Sequence, residues 1–220
     1  MLGDFHFVVF ARNSLIVAGS VTLFGVSVSA LGAYALARLA FPGRRLVGRL
    51  VLFAYVVPPV LLVVPMFVAL ARLGLIDTPI ALVLAHTTFA IPFCMWILRG
   101  FFLSLPASLE EAALVDGCTR LQAFRRVVLP LARPGLVAAA MFAFLLSWNE
   151  YLYAMVFMQS DAQKTLPIGI QTTYFNVTMA PADWLHLLTA SVLASIPVFL
   201  LFMGLQRWMV SGLTAGAVKG

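Results

Sequence analysis

Five apolar runs, each long enough to cross a bilayer, leave this chain few ways to fold. A span needs about 20 apolar residues at about 1.5 Å of rise each. The runs cover Ser14–Leu39, Leu46–Leu70, Ile80–Leu103, Leu136–Met158 and Trp184–Met209. The polar remainder cannot coat a water-facing globule. Residues are 63% hydrophobic and only 10% charged, whereas an ordinary soluble domain carries about 25% charged residues. The expected fold is therefore an all-α polytopic membrane bundle of about five spans. Residues 1–220 would form one transmembrane domain.

Arginine and lysine orient these spans. Arg38, Arg44, Arg45, Arg49, Arg99, Arg120, Arg125, Arg126, Arg133, Arg207 and Lys219 fall on one side, against Arg12, Arg72 and Lys164 on the other. The positive-inside rule puts the first side, with the C-terminus, in the cytoplasm. The net charge of +6 then reads as contact with an anionic inner leaflet rather than with nucleic acid. By the same count the N-terminus lies outside, although "MLGDFHFVVF" has no positive n-region or cleavage site of a signal peptide. Cys94 sits in an apolar run and Cys118 in a charged one, so neither a disulfide nor a metal site is expected.

The spans carry polar and helix-breaking residues. Gly25, Ser29 and Ala33 form a small-residue stripe for close helix approach. Pro58, Pro59 and Pro65 interrupt the second span, Pro92 the third and Pro197 the fifth. Such breaks last only where neighbours satisfy the freed backbone groups. In the fourth span Ser147, Asn149 and Glu150 mark either a pathway or gate, or structural interhelical bonding. A mid-membrane carboxylate costs about 2.5–3.5 kcal/mol on insertion scales. Trp148, Tyr151 and Tyr153 suit an interfacial aromatic belt or a stacking surface, the belt being the plainer reading. His86 has no H-E-x-x-H partner and reads as a packing or hydrogen-bonding residue.

Between the third and fourth spans, residues 105–135 concentrate charge, glycine and proline. Pro106 suits a first helical turn, and Ser108 with Glu111 has capping-box spacing. Gly117 is a natural stop for that helix. Thr119 and Gln122 can cap the next helix, Pro130 ends it, and Pro134 opens the fourth span. Carboxylates at Glu110, Glu111 and Asp116 flank the small pair Ala112 and Ala113, with Leu114 beside them. An acidic helix is repelled by anionic lipid, which favours docking to another protein over lying on the membrane.

"EAALVDG" followed after nine residues by "VVLP" resembles the signature loop of binding-protein-dependent ABC importer permeases. Glu111, Ala112, Ala113, Gly117, Val127, Leu129 and Pro130 match the pattern, with valine in place of isoleucine at 127. "NSLIVAG", "AYALARLAFPGRR", "SWNEYLYAMVF", "KTLPIGI" and "GLTAGAVKG" extend the resemblance to the carbohydrate-uptake branch, specifically its maltose-type inner-membrane subunit. Relatives of that type usually carry a further transmembrane helix before "NSLIVA", and no such helix precedes it in this sequence.

The resemblance implies the type I ABC importer fold in a bacterial cytoplasmic (inner) membrane. It implies a sugar, polyol or glycerol-phosphate importer that couples ATPase closure to alternating access, with Glu111 touching the ATPase and Gly117 permitting the bend. Glu110, Glu111, Ala112, Ala113, Leu114, Asp116, Gly117, Leu129 and Pro130 would form that coupling surface. The implied partners are an ABC ATPase dimer, a second permease subunit forming a heterodimer, an extracytoplasmic solute-binding protein and membrane lipid. The outer stretch from Met158 to Trp184 would meet the binding protein, and the terminal "TAGAVKG" would insert near the ATPase dimer interface.

No G-x-x-x-x-G-K-[ST] motif occurs, so ATP and Mg are expected in the partner ATPase, with no cofactor bound and no catalysis by this chain. Permeases for amino acids, phosphate or peptides, an intramembrane enzyme and a stand-alone channel are the competing readings.

Overall fold

The computed structural model describes residues 5–174 and 181–217, and every regular element among them is helical. Asn176, whose N-V-T triplet reads as a chance match in a bacterial-type chain, and Lys219 lie outside these residues. Helix α1 runs Phe5–Arg38, α2 Arg44–Val56, α3 Val63–Arg72 and α4 Pro79–Ser104. The loop before the fourth span contributes α5 (Ala107–Val115), α6 (Arg120–Ala123) and α7 (Leu129–Leu131), with a π-turn at Phe124–Val128 between the last two. Then follow α8 (Arg133–Trp148), α9 (Leu152–Phe157), α10 (Leu166–Tyr174) and α11 (Pro181–Ala217).

Three described helices are long and apolar enough to cross a membrane, or up to five if each of two bent pairs counts as one span. One bent pair is the second sequence run, and the other joins Arg120–Leu131 to Arg133–Trp148, bending ahead of the fourth run. The second run breaks at Val57–Pro58, and its two halves meet at 92°. Pro58 and Pro59 supply no amide donors, so the helix cannot continue through them. A 3-10 turn at Pro59–Leu62 bridges the gap. The fourth run stops at Trp148 and restarts at Leu152.

Helix α1 is the central pillar, packed against α4 and α8. The small-residue stripe serves this contact. Ser29 Oγ donates to the Ile91 carbonyl at 3.0 Å beside Pro92, and Ala33 is fully buried. A second core joins Phe7 and Phe10 of α1 to Phe144, Trp148, Leu166 and Ala190. Gly169 of α10 lies so close to the Phe10 ring that no Cβ fits there. Trp148 Nε1 donates to the Ala194 carbonyl at 3.2 Å, which ties α11 to α8. Between Trp184 and Trp208, α11 is otherwise mostly exposed, including Leu185, Val192, Phe199 and Leu200. In a membrane chain such a face belongs against lipid or another subunit.

Loop residues make their own tertiary contacts. At one end Asn13 donates to the carbonyls of Ala162 and Lys164. There too the Asp77 carboxylate accepts from the amides of Gln159 (2.9 Å) and Ser160 (3.0 Å). Asp77 adopts φ +62, a conformation that aspartate tolerates better than most residues. Burial works against its charge, but the Ser160 amide and hydroxyl together with the Gln159 amide outweigh burial and hold the carboxyl below the ordinary aspartate value. A depressed native pKa contributes stability above the unfolded value. That contribution is lost as pH falls through the native value. We expect Asp77→Ala to lower the melting temperature at pH 7. The gap from wild type should shrink below about pH 4, where the unfolded carboxyl takes up its proton. Parallel melts at the two pH values check this.

Candidate functional site: the coupling segment and the broken fourth span

At the opposite end, α5 presents two unlike faces. Glu111, Ala112, Val115 and Asp116 are exposed, and Val115 is 87% accessible. Glu110 and Ala113 point inward and are buried, while Leu114 is half-buried. The helix begins at Ala107 behind Pro106, so Ser108 is inside it and the expected Ser108–Glu111 capping box does not form. Proline fixes φ at a helical value and starts the helix earlier than the serine would.

Gly117 ends α5 at φ +84, with Cys118 N–H donating to the Ala113 carbonyl at 3.0 Å. This is the αL stop read from the sequence. The Thr119–Gln122 capping box is present, with both reciprocal bonds made. Pro130 does not end the following helix. It sits within the turn Leu129–Leu131, and the chain bends by 78° before Arg133. Leu129 is half-buried and Pro130 exposed.

Both halves of the segment converge on one residue of α1 that sequence reasoning passed over. Tyr34 Oη donates to Glu110 Oε1 at 2.5 Å. Its ring packs on Phe124 of the second half at 4.5 Å between centroids. One turn on, Arg38 Nε lies 3.5 Å from Glu110 Oε2, and its Nη2 donates to the Leu105 carbonyl at 2.6 Å. The spacing of Tyr34 and Arg38 at i, i+4 on one helix was legible, but no sequence signal pairs Tyr34 with a residue 76 positions away.

The second candidate group lies where the fourth span breaks. His86 Nδ1 is 2.8 Å from Ser147 Oγ, and Nε2 is 3.2 Å from Glu150 Oε2. One neutral tautomer satisfies both bonds, with Nε2–H donating to the carboxylate and Nδ1 accepting from the hydroxyl. The Glu150 carboxylate also accepts the amides of Tyr153 at Oε1 (2.8 Å) and Ala154 at Oε2 (3.1 Å), capping α9. Tyr153 Oη in turn donates to the Pro59 carbonyl at 2.8 Å, in the break of the second span. A chain of bonds thus links α4, the end of α8, α9 and the second-span break.

Asn149 stands apart, exposed, and its side chain donates to the Leu145 carbonyl. Tyr153 and Trp148 are core residues at 1% and 4% exposure, so neither belongs to an interfacial belt. Glu150→Ala removes two caps and the His86 partner together. The expected loss is about 2–3 kcal/mol, seen as a lower melting temperature than that of Asn149→Ala.

The family described as binding-protein-dependent transport system inner membrane component matches residues 14–215. The chain belongs to that family. It is similar to the trehalose/maltose transport system permease protein MalG of Thermococcus litoralis, 37% identical over 98% of this chain and 77% of that protein. It is 41% identical to the diacetylchitobiose uptake system permease protein DasC of Streptomyces coelicolor, over 98% of this chain and 77% of that protein. Its fold matches a chain from the crystal structure of a bacterial ABC transporter that imports the acidic polysaccharide alginate. That match has a TM-score of 0.75 and 27% identity, covering 94% of this permease and 76% of that chain. The chain is thus a multi-pass inner-membrane permease subunit of an ABC importer, with the fold expected of it.

Proposed function

We propose that this permease imports an oligosaccharide or a related polyol or glycerol phosphate, and that α5 and Gly117 are its joint to a separate ATPase. The observation that carries the joint is the division of α5 into an exposed face of Glu111, Ala112 and Val115 and an anchored face of Glu110 and Ala113. The exposed face offers small and apolar contacts with an acidic rim. The anchored face passes any displacement to α1 through Tyr34 and Arg38. The sugar assignment rests on the kinship with the trehalose/maltose and diacetylchitobiose permeases. An extracytoplasmic binding protein and a second permease complete the proposed assembly, with the C-terminus in the cytoplasm. ATP and Mg would be held by the ATPase.

The test is copurification of the ATPase with wild type and with Glu111→Lys combined with Ala112→Trp. Both positions are exposed, so the variant should fold. Loss of the ATPase from an intact permease is expected. Full retention would show that α5 is not the joint. Uptake of labelled disaccharides by cells carrying the assembled importer addresses the substrate class.

A further inference from the structure

Four guanidinium groups line one pocket of about 520 Å³ at the cytoplasmic ends of α1, α2 and α4, and no carboxylate lines it. They belong to Arg44, Arg45, Arg49 and Arg99. Arg44 is committed to structure. It donates to the carbonyls of Leu36 (2.8 Å), Ala37 (3.2 Å) and Leu39 (3.4 Å) and so caps α1. Arg45 and Arg49 form no ion pair among the described residues, although they lie one turn apart on α2. Arg99 stands 6.0 Å from the Trp96 ring centroid, and that ring is half exposed. Like charges gathered around a concave site repel one another unless an anion joins them.

The walls change character with depth. Leu52, Val51 and Met95 continue the pocket with apolar surface. Gly48 contributes no side chain, and a Cβ built there would meet nothing within 4 Å. The site thus joins cationic and apolar walls beside the half-exposed Trp96, at the membrane face that the arginines themselves mark as cytoplasmic. Basic pockets between spans on that face suit anionic headgroups.

We propose that this pocket holds the phosphate of an anionic phospholipid of the inner leaflet, with Arg45, Arg49 and Arg99 on the phosphate and the acyl chains along Leu52 and Met95. The lipid would fasten α2, which has no buried residue of its own, to α4. The assignment depends on the cytoplasmic orientation of this end and not on the transported solute.

Native mass spectrometry of the assembled importer tests it, titrating phosphatidylglycerol against phosphatidylcholine of the same acyl chains. Wild type should retain phosphatidylglycerol selectively. Arg45→Gln, Arg49→Gln and Arg99→Gln together should lower that affinity about tenfold or more. Gly48→Phe keeps every charge and replaces glycine by a better helix former, so it should fold and yet lose the lipid by filling the pocket. Arg125→Gln with Arg126→Gln, which removes exposed charge elsewhere, should leave retention unchanged. Equal retention by wild type and Gly48→Phe would overturn the proposal, as would equal retention of phosphatidylcholine. Displacement of the lipid by millimolar inorganic phosphate would make this a soluble-anion site and overturn the lipid assignment.

Discussion

Glu110→Ala is expected to destabilise the permease by about 3–5 kcal/mol, the cost of leaving one member of a buried ion pair alone. The carboxylate is 6% exposed, with Tyr34 on one oxygen and Arg38 beside the other. Its removal strands a guanidinium whose other hydrogen bond among the described residues is to the Leu105 carbonyl. Glu110→Gln keeps an acceptor for Tyr34 and should lose less. The neighbouring Glu111→Ala lies on the exposed face and should change stability by no more than about 0.5 kcal/mol, while weakening ATPase copurification. Thermal melts of the purified assembly distinguish the two residues. A Glu110→Ala variant that melts with wild type would mean that this carboxylate does not anchor α5.

Gly117→Val is the second change with a large expected effect. A Cβ at Gly117 meets nothing within 4 Å, so the cost is purely conformational. At φ +84 an L-residue loses about 1–2 kcal/mol, and β-branching adds to that. The relaxed alternative lets α5 run on and turns α6 away from its capping box. A strain of that size converts to about a tenfold fall in the population holding the bent geometry. Assembly should survive, because Glu110 and Phe124 still hold both halves to Tyr34. Solute uptake per ATP hydrolysed should fall about tenfold in reconstituted vesicles. Gly117→Asn, which tolerates αL, should recover part of it. Unchanged uptake by the valine variant would show that the bend is not needed for coupling.

Much of this protein was legible before its fold. The all-α membrane architecture followed from run lengths, because a backbone in lipid must satisfy its own hydrogen bonds within helices. The Gly117 stop, the Thr119–Gln122 box and the start of α8 at Pro134 followed from local backbone chemistry, which acts over three or four residues.

Tertiary structure decided the rest. Periodicity could not say that Glu110 turns inward and Glu111 outward, since adjacent residues on a helix differ by about 100° and the direction of the core depends on α1. Nor could it show that Pro58 and Pro59 produce a 92° break rather than a kink. That outcome depends on Tyr153 being in place to hold the Pro59 carbonyl. The sequence by itself determined which segments are helical and where Gly117 stops α5, because those choices are made by local sterics and transfer energies. Only the tertiary structure decided which of the buried charges are anchors, because a pairing such as Tyr34 with Glu110 is made across helices and has no local signature.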